Sequence, residues 1–374
     1  MGEKNHFFTS ECVTQGHPDK VCDQISDAIL DECFRQDPYS RVAVECLITD
    51  KKLVIAWEVT TKAQFSYEDI AKKVLKEIGY SSQESGFDVE NSDIEVLVHT
   101  QSPDISQGVE VWWAGDQWIM FWYATNENED YLPLSLDLAR KLSLQLTKVR
   151  KDWELNYLWP DWKTQVTVEL DENWNFCRID AIVISAQHRE EVTLEQIKAD
   201  LKEYVINPVL WWKLDENVKI FINPTWKFVI WGPAWDTWLT WRKIIVDSYW
   251  GAWRHGWGAF SGKDPTKVDR SAAYMARFLA KNIVANWYCD KCEIQLSYAI
   301  WVAQPISIFL EDFWTAKIEK ERIIEYIKEH YDLSPNWIIT FLDLRRPIYR
   351  KTAEIGHFWF SDYPWEKVEE WRID

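Results

Sequence analysis

Tryptophan occupies positions in this chain where the backbone asks for glycine, and that mismatch constrains the fold more than any other feature. The run TQVTVEL alternates, CRIDAIVIS alternates after it, and DENWN at 171–175 lies between them. Two such runs predict a β-hairpin. A two-residue hairpin turn favours Asn-Gly with positive φ, a conformation in which tryptophan is strained. The imbalance extends along the whole chain, where 26 tryptophans stand beside 12 glycines, although glycine ordinarily makes up about 7% of residues.

At 374 residues the chain is long enough for two or three domains with ample core. No apolar run spans a bilayer and the opening MGEKNHFFTSEC is polar, so a cytoplasmic protein is expected. The seven cysteines are scattered and odd in number, which argues against a disulfide framework. Cys289 and Cys292 form one CxxC, read as reduced thiols because a tetrahedral zinc site wants a second pair. A formal charge of -18 argues against nucleic acid as a partner.

Within this acidic chain, residues 242–270 gather Arg242, Lys243, Arg254, Lys263, Lys267 and Arg270 against Asp247, Asp264 and Asp269. Such a cluster suits a bound polyanion. Its centre, GAFSGKDPTKVD, sets small residues beside lysines and follows them with an aspartate, which suits phosphates met by backbone N–H groups, ammonium groups and a metal. A Walker-type loop fails twice, at Trp257 and at Asp264. The plain alternative is a surface loop with scattered charges.

Taken in order, Gly16-His17-Pro18-Asp19 opens a run with apolar residues at helical spacing, so His17 and Asp19 are expected at a helix N-terminus that favours phosphate. RVAVECLIT and KLVIAWEVT, joined through Asp50-Lys51, predict a hairpin that buries Glu45 and Glu58 as ligands for a cation or an amino group, unless they face water at an edge. SYEDIAKKVLKEIG is an amphipathic helix ending at Gly79. Gln101-Ser102-Pro103-Asp104, Gly108 and Ala114-Gly115-Asp116-Gln117 make a polar patch suited to a small ligand. Helical periodicity recurs at 133–151, 192–210, 271–285 and 317–331. Strand pairs and helices alternate in three blocks of similar length, which predicts three α+β domains, set at 6–104, 112–230 and 231–367.

GHPDK at 16–20, QSPDISQGV at 101–109, AGDQ at 114–117, GAFSGKDPTKVDRSAAY at 258–274 and DLRRPIY at 343–349 resemble S-adenosylmethionine synthetase, over about Phe8 to Lys367. The resemblance implies three similar α+β domains in a pseudo-threefold arrangement, and an active site between two subunits of a homodimer, often paired into tetramers. It implies a methionine adenosyltransferase: the sulfur of methionine attacks C5′ of ATP, and the released triphosphate is hydrolysed to pyrophosphate and phosphate. Two Mg²⁺ and a K⁺ are implied with it. Residue by residue, His17 resembles the histidine near the leaving oxygen, Asp19 and Asp269 the magnesium ligands, and Glu45 the potassium-holding carboxylate. Lys163, Arg242, Lys243, Lys263 and Lys267 resemble the phosphate-contacting cations. Glu58 and Gln101 are similar to the groups that seat methionine, Asp116, Asp161 and Asp236 to further active-site aspartates, and Phe228 to the aromatic that stacks on adenine.

The chain departs from the family pattern at Cys12 and Gln15, and above all in tryptophan at family glycines: Trp57, Trp118, Trp122, Trp226, Trp231, Trp235, Trp238, Trp241, Trp250, Trp257, Trp301, Trp314, Trp337 and Trp359. Drift would not select one residue type so consistently. Most of these are read as glycines encoded by UGA and translated under a code in which UGA means tryptophan, while Trp365 in DYPWEK is usual in the family. Literal tryptophans would overpack the core at about 1–3 kcal/mol per site. The alternative function is then a non-catalytic homologue or regulatory dimer partner; a kinase leaving ADP is a second rival.

Overall fold

The computed structural model describes residues 5–100, 113–224, 227–249 and 251–373. In the first block, β1 (His6–Val13) leads into α1 (Pro18–Gln36), then β2 (Arg41–Thr49), β3 (Lys52–Thr60), α2 (Tyr67–Ile78) and β4 (Asp93–His99). The second block holds β5 (Trp118–Thr125), α3 (Leu134–Lys151), β6 (Leu158–Leu170), β7 (Phe176–His188), α4 (Leu194–Leu201) and β8 (Lys219–Ile222). The third holds β9 (Trp238–Leu239), α5 (Val268–Ala285), β10 (Lys291–Tyr298), β11 (Ser307–Glu311), α6 (Lys320–His330), α7 (Pro335–Phe341) and α8 (Tyr349–Ile355). The expected mixed α+β class is what the chain adopts.

Local chemistry accounts for these elements. Pro18 sits in the first turn of α1, and the ring of N-cap His17 accepts from the Asp19 N–H. Ser66 caps α2 through the Asp69 N–H, and Gly79 closes it in the left-handed conformation. Asp50 and Lys51 turn β2 into β3; buried and partly buried positions alternate strictly in β2, and in β3 the buried phase is broken at the exposed Trp57. Because Glu45 and Glu58 fall on the partly buried phase of that alternation, they are half-buried rather than buried as expected. The β6–β7 connection spans 171–175, wider than a two-residue turn, because Asp171 accepts from the N–H groups of Asn173 and Asn175. Its positive φ, 65°, falls on Trp174.

Strand pairing crosses the sequence blocks. The sheets run β1-β6-β7-β8, β11-β10-β5 and β4-β3-β2-β9. Each block therefore lends one strand to another: β1 goes to the second block's sheet, β5 to the third's and β9 to the first's. The spatial units are discontinuous in sequence, and the exchange is cyclic. One apolar core joins β4-β3-β2-β9 and β11-β10-β5 through α1 and α5, and a second lies under β1-β6-β7-β8. Sixteen of the nineteen residues of α1 are buried, so its polar residues lie inside the protein. No helix among the described residues is long and apolar enough to cross a membrane.

Candidate functional site

α1 carries Asp19, Asp23, Asp27 and Asp31, one every fourth residue, so they form a slowly winding stripe. Each is buried, and each accepts from a backbone N–H of the third block. Asp19 takes Leu239, at 3.0 Å, and Asp23 takes Trp241, at 3.1 Å. Asp27 takes Gly262, at 2.8 Å, while Asp31 takes Tyr349 and Arg350, both at 2.9 Å. A buried carboxylate needs such donors, so the stripe fixes where β9, the 258–263 loop and α8 sit.

Burial raises the Asp31 carboxyl to about 6, although the Arg350 and Tyr349 N–H groups oppose it. The unfolded chain releases that proton near pH 4, so between about 4 and 6 the unfolded state binds fewer protons and stability falls as pH rises. Asp31→Asn is expected to flatten this part of the profile. Urea midpoints measured across that range would show it, and an unchanged slope would refute the assignment.

One charged cluster gathers at the start of α1. His17 is buried, its Nδ1 accepts from the Asp19 N–H at 3.2 Å, and its Nε2 has no partner among the described residues. Burial, then Lys243, Lys163, Lys20 and Arg242, hold its pKa well below the usual value. A neutral ring whose Nδ1 accepts carries its proton on Nε2. His17 therefore presents a buried N–H donor with no acceptor among the described residues. Lys243 Nζ reaches Asp19 Oδ2 at 2.5 Å and Arg242 Nε lies 4.0 Å from Asp19 Oδ1. Asp161 on β6 is fully buried, and burial pushes its carboxyl up to about 8 against the pull of Lys163 and Lys243. Trp238 stands among them, its ring edge-on to His17 at 5.0 Å and within 6 Å of the Arg242 and Lys243 cations.

A second cluster forms on the loop entering α5. Lys263 pairs with Asp269, and Lys267 Nζ donates to Asp264 and to the Val42 carbonyl, at 3.1 Å. Burial raises the Glu45 carboxyl while Lys263 pulls it down. Lys263 bridges to Ala43 and β9 pairs at Leu47, so both clusters lie along β2. Four residues at about 3.3 Å each separate their backbones by about 13 Å.

The other expected residues are more dispersed. Phe228 is buried and lies beside Trp231, with ring centroids 4.5 Å apart. Asp116 and Asp236 are exposed, each accepting from the next residue's N–H. Glu58 lies across from His99 on β4, with Oε1 and Nε2 3.9 Å apart. Gln101 lies outside the described residues. No group of three or more His, Cys, Asp or Glu among the described residues could hold a metal unaided.

The chain matches the S-adenosylmethionine synthetase N-terminal domain over residues 5–103, the central domain over 112–228 and the C-terminal domain over 230–367. It belongs to the S-adenosylmethionine synthetase family.

For this S-adenosylmethionine synthetase family member, sequence reasoning missed the residues that hold the site in place. Asp23 and Asp27 position the 238–241 and 258–263 segments, and Lys20 links Asp23 to Asp247 inside the core. Gly262 takes φ 78°, and a side chain there would strike the Val44 carbonyl. The available signal was the four-residue aspartate repeat, which reads naturally as the wet face of an amphipathic helix.

Proposed function

We propose that the protein is a methionine adenosyltransferase that joins ATP and L-methionine. The sulfur of methionine attacks C5′, the C5′–oxygen bond breaks, and the triphosphate leaves with that electron pair before hydrolysis to pyrophosphate and phosphate. The carrying observation is the unpartnered His17 Nε2–H, buried among Lys163, Arg242 and Lys243. Such a donor is suited to the leaving oxygen, and the cations to the charge that develops there. The sulfur lone pair needs no base.

In this reading Lys163, Arg242, Lys243, Lys263 and Lys267 hold phosphates, Phe228, Asp161 and Asp236 seat the nucleoside, and Glu58, Gln101 and Asp116 receive methionine together with Asp236 and Lys267. Asp19 and Asp269 fit Mg²⁺, which binds through one or two carboxylates plus substrate phosphates and needs no all-protein cage. Both carboxylates already face lysine ammonium groups, so their oxygens suit a cation. Bound magnesium would neutralise triphosphate charge, and Glu45 would hold K⁺. A homodimer with the site between subunits is supported by exposed apolar strand residues, among them Val96 and Leu97 of β4, Ile119 of β5 and Phe309 of β11. A cytoplasmic location and small-molecule substrates complete the reading.

A non-catalytic homologue is the second reading, favoured by Trp238 and Trp231 lying against His17 and Phe228. The test is to incubate protein from its natural source with ATP, methionine, Mg²⁺ and K⁺. S-adenosylmethionine with pyrophosphate and phosphate is expected. ADP would indicate a kinase, and no turnover would favour the second reading.

A further inference from the structure

Thirteen non-glycine residues among those described have positive φ, and nine are tryptophan: Trp57, Trp153, Trp174, Trp241, Trp257, Trp287, Trp301, Trp314 and Trp359. With 26 tryptophans in 374 residues, indifferent placement would put about one there, and Asn and Asp are the side chains that enter this region most readily. Trp57 at 104° and Trp359 at 136° lie beyond the left-handed helical well, where glycine alone goes freely. The backbone at these nine positions is a glycine backbone.

Side-chain chemistry gives a second and independent observation. A buried indole N–H normally finds an acceptor. Trp365 does so: it is fully buried, donates to the His357 carbonyl at 2.8 Å and stacks on Tyr274 and Tyr363. Among the described residues Trp122, Trp162 and Trp371 have no acceptor for their buried N–H groups, and neither do Trp118, Trp231 and Trp238. The last three also stand at sensitive places. Trp238 lies over His17, Arg242 and Lys243, and Trp231 lies on Phe228. Trp118 presses on the phosphate loop, where a Cβ added to Gly258 would meet both its Nε1, at 2.6 Å, and the Asp269 side chain.

We infer that the protein its source makes carries glycine at the nine positive-φ positions and at 118, 231 and 238, encoded by UGA, and carries tryptophan at 365. Trp153 and Trp287 join the set on backbone conformation alone. Glycine at 118, 231 and 238 would clear the loop beside Asp269, one face of Phe228 and the space over His17. That consequence rests on the proposed function; the nine backbone positions do not.

Peptide mass spectra of the protein from its natural source decide the matter, read across Trp118, Trp231, Trp238, Trp257 and Trp365 and set beside the codons. Glycine at the first four with UGA codons, and tryptophan at 365 with UGG, is expected. Tryptophan at 257, or UGG at all five, overturns the inference; glycine at 257 with tryptophan at 118, 231 and 238 overturns its site half. Two synthetic genes, one as printed and one with glycine at all twelve positions, add a folding readout. Only the glycine form is expected to unfold cooperatively and bind ATP, and equal behaviour of the two would count against the inference. Glycine by mass without S-adenosylmethionine formation leaves the recoding standing and removes the proposed function. Tryptophan by mass with turnover does the reverse.

Discussion

Replacing Arg270 with methionine is expected to lower stability by about 3–5 kcal/mol, the usual result of removing one member of a buried ion pair. Arg270 is fully buried and grips both oxygens of Asp27, at 2.7 and 2.8 Å, while donating to the Phe260 and Lys263 carbonyls. Without it, Asp27 becomes a buried carboxylate whose remaining donor is the Gly262 N–H, and the 258–263 loop loses two of its anchors. Urea unfolding should show a lower midpoint with an unchanged slope. Arg270→Met combined with Asp27→Leu should recover part of the loss, because the double change leaves no uncompensated charge. A single-variant loss below about 1 kcal/mol would mean that the pair does not organise this region.

Lys163→Met and Asp269→Asn, made in protein decoded as in its source, are expected to cut turnover about a hundredfold or more, as loss of one preorganised electrostatic contact does elsewhere. Their structural roles are slight. Lys163 has a 3.7 Å pairing with Glu11 and is about a third exposed, so folding should shift by only about 0.5 kcal/mol. Asp269 is buried in the first turn of α5, where it pairs with the part-exposed Lys263, and asparagine keeps its shape and can still accept from that lysine. If both act on developing charge, kcat and kcat/KM fall together while Tm stays near that of the parent. Parallel losses of Tm and turnover would instead assign them to the scaffold.

What the sequence disclosed was chiefly local. Pro18 and the alternation of RVAVECLIT are short-range signals, and α1, β2 and β3 lie where those signals put them. Trp174 was legible as a turn residue with positive φ, although Asp171 widens the turn beyond the expected two residues. Long-range partnership was hidden. Asp23 and Asp27 resemble the solvated side of a helix until Trp241 and Gly262 arrive from more than two hundred residues away to donate to them. Glu45 reads as buried in a hairpin taken alone, but its face of the sheet is only half covered. Periodicity marks β1 as a strand and cannot name β6 as its neighbour.

The rotary lending of strands among the three blocks sets an order on biosynthesis. When the ribosome has released the first hundred residues, β1 has no β6 to lie against, and β2 still lacks β9 on its open edge. The first block is complete only when residues near 240 emerge, and by then the second has been waiting on nothing while its own β5 waits for β10. Folding of this chain is therefore a late, collective event with many distant pairings, slow by topology and exposed to aggregation until the last third is made. Severing the three blocks at their boundaries would leave each sheet short of a strand that only its neighbour can supply.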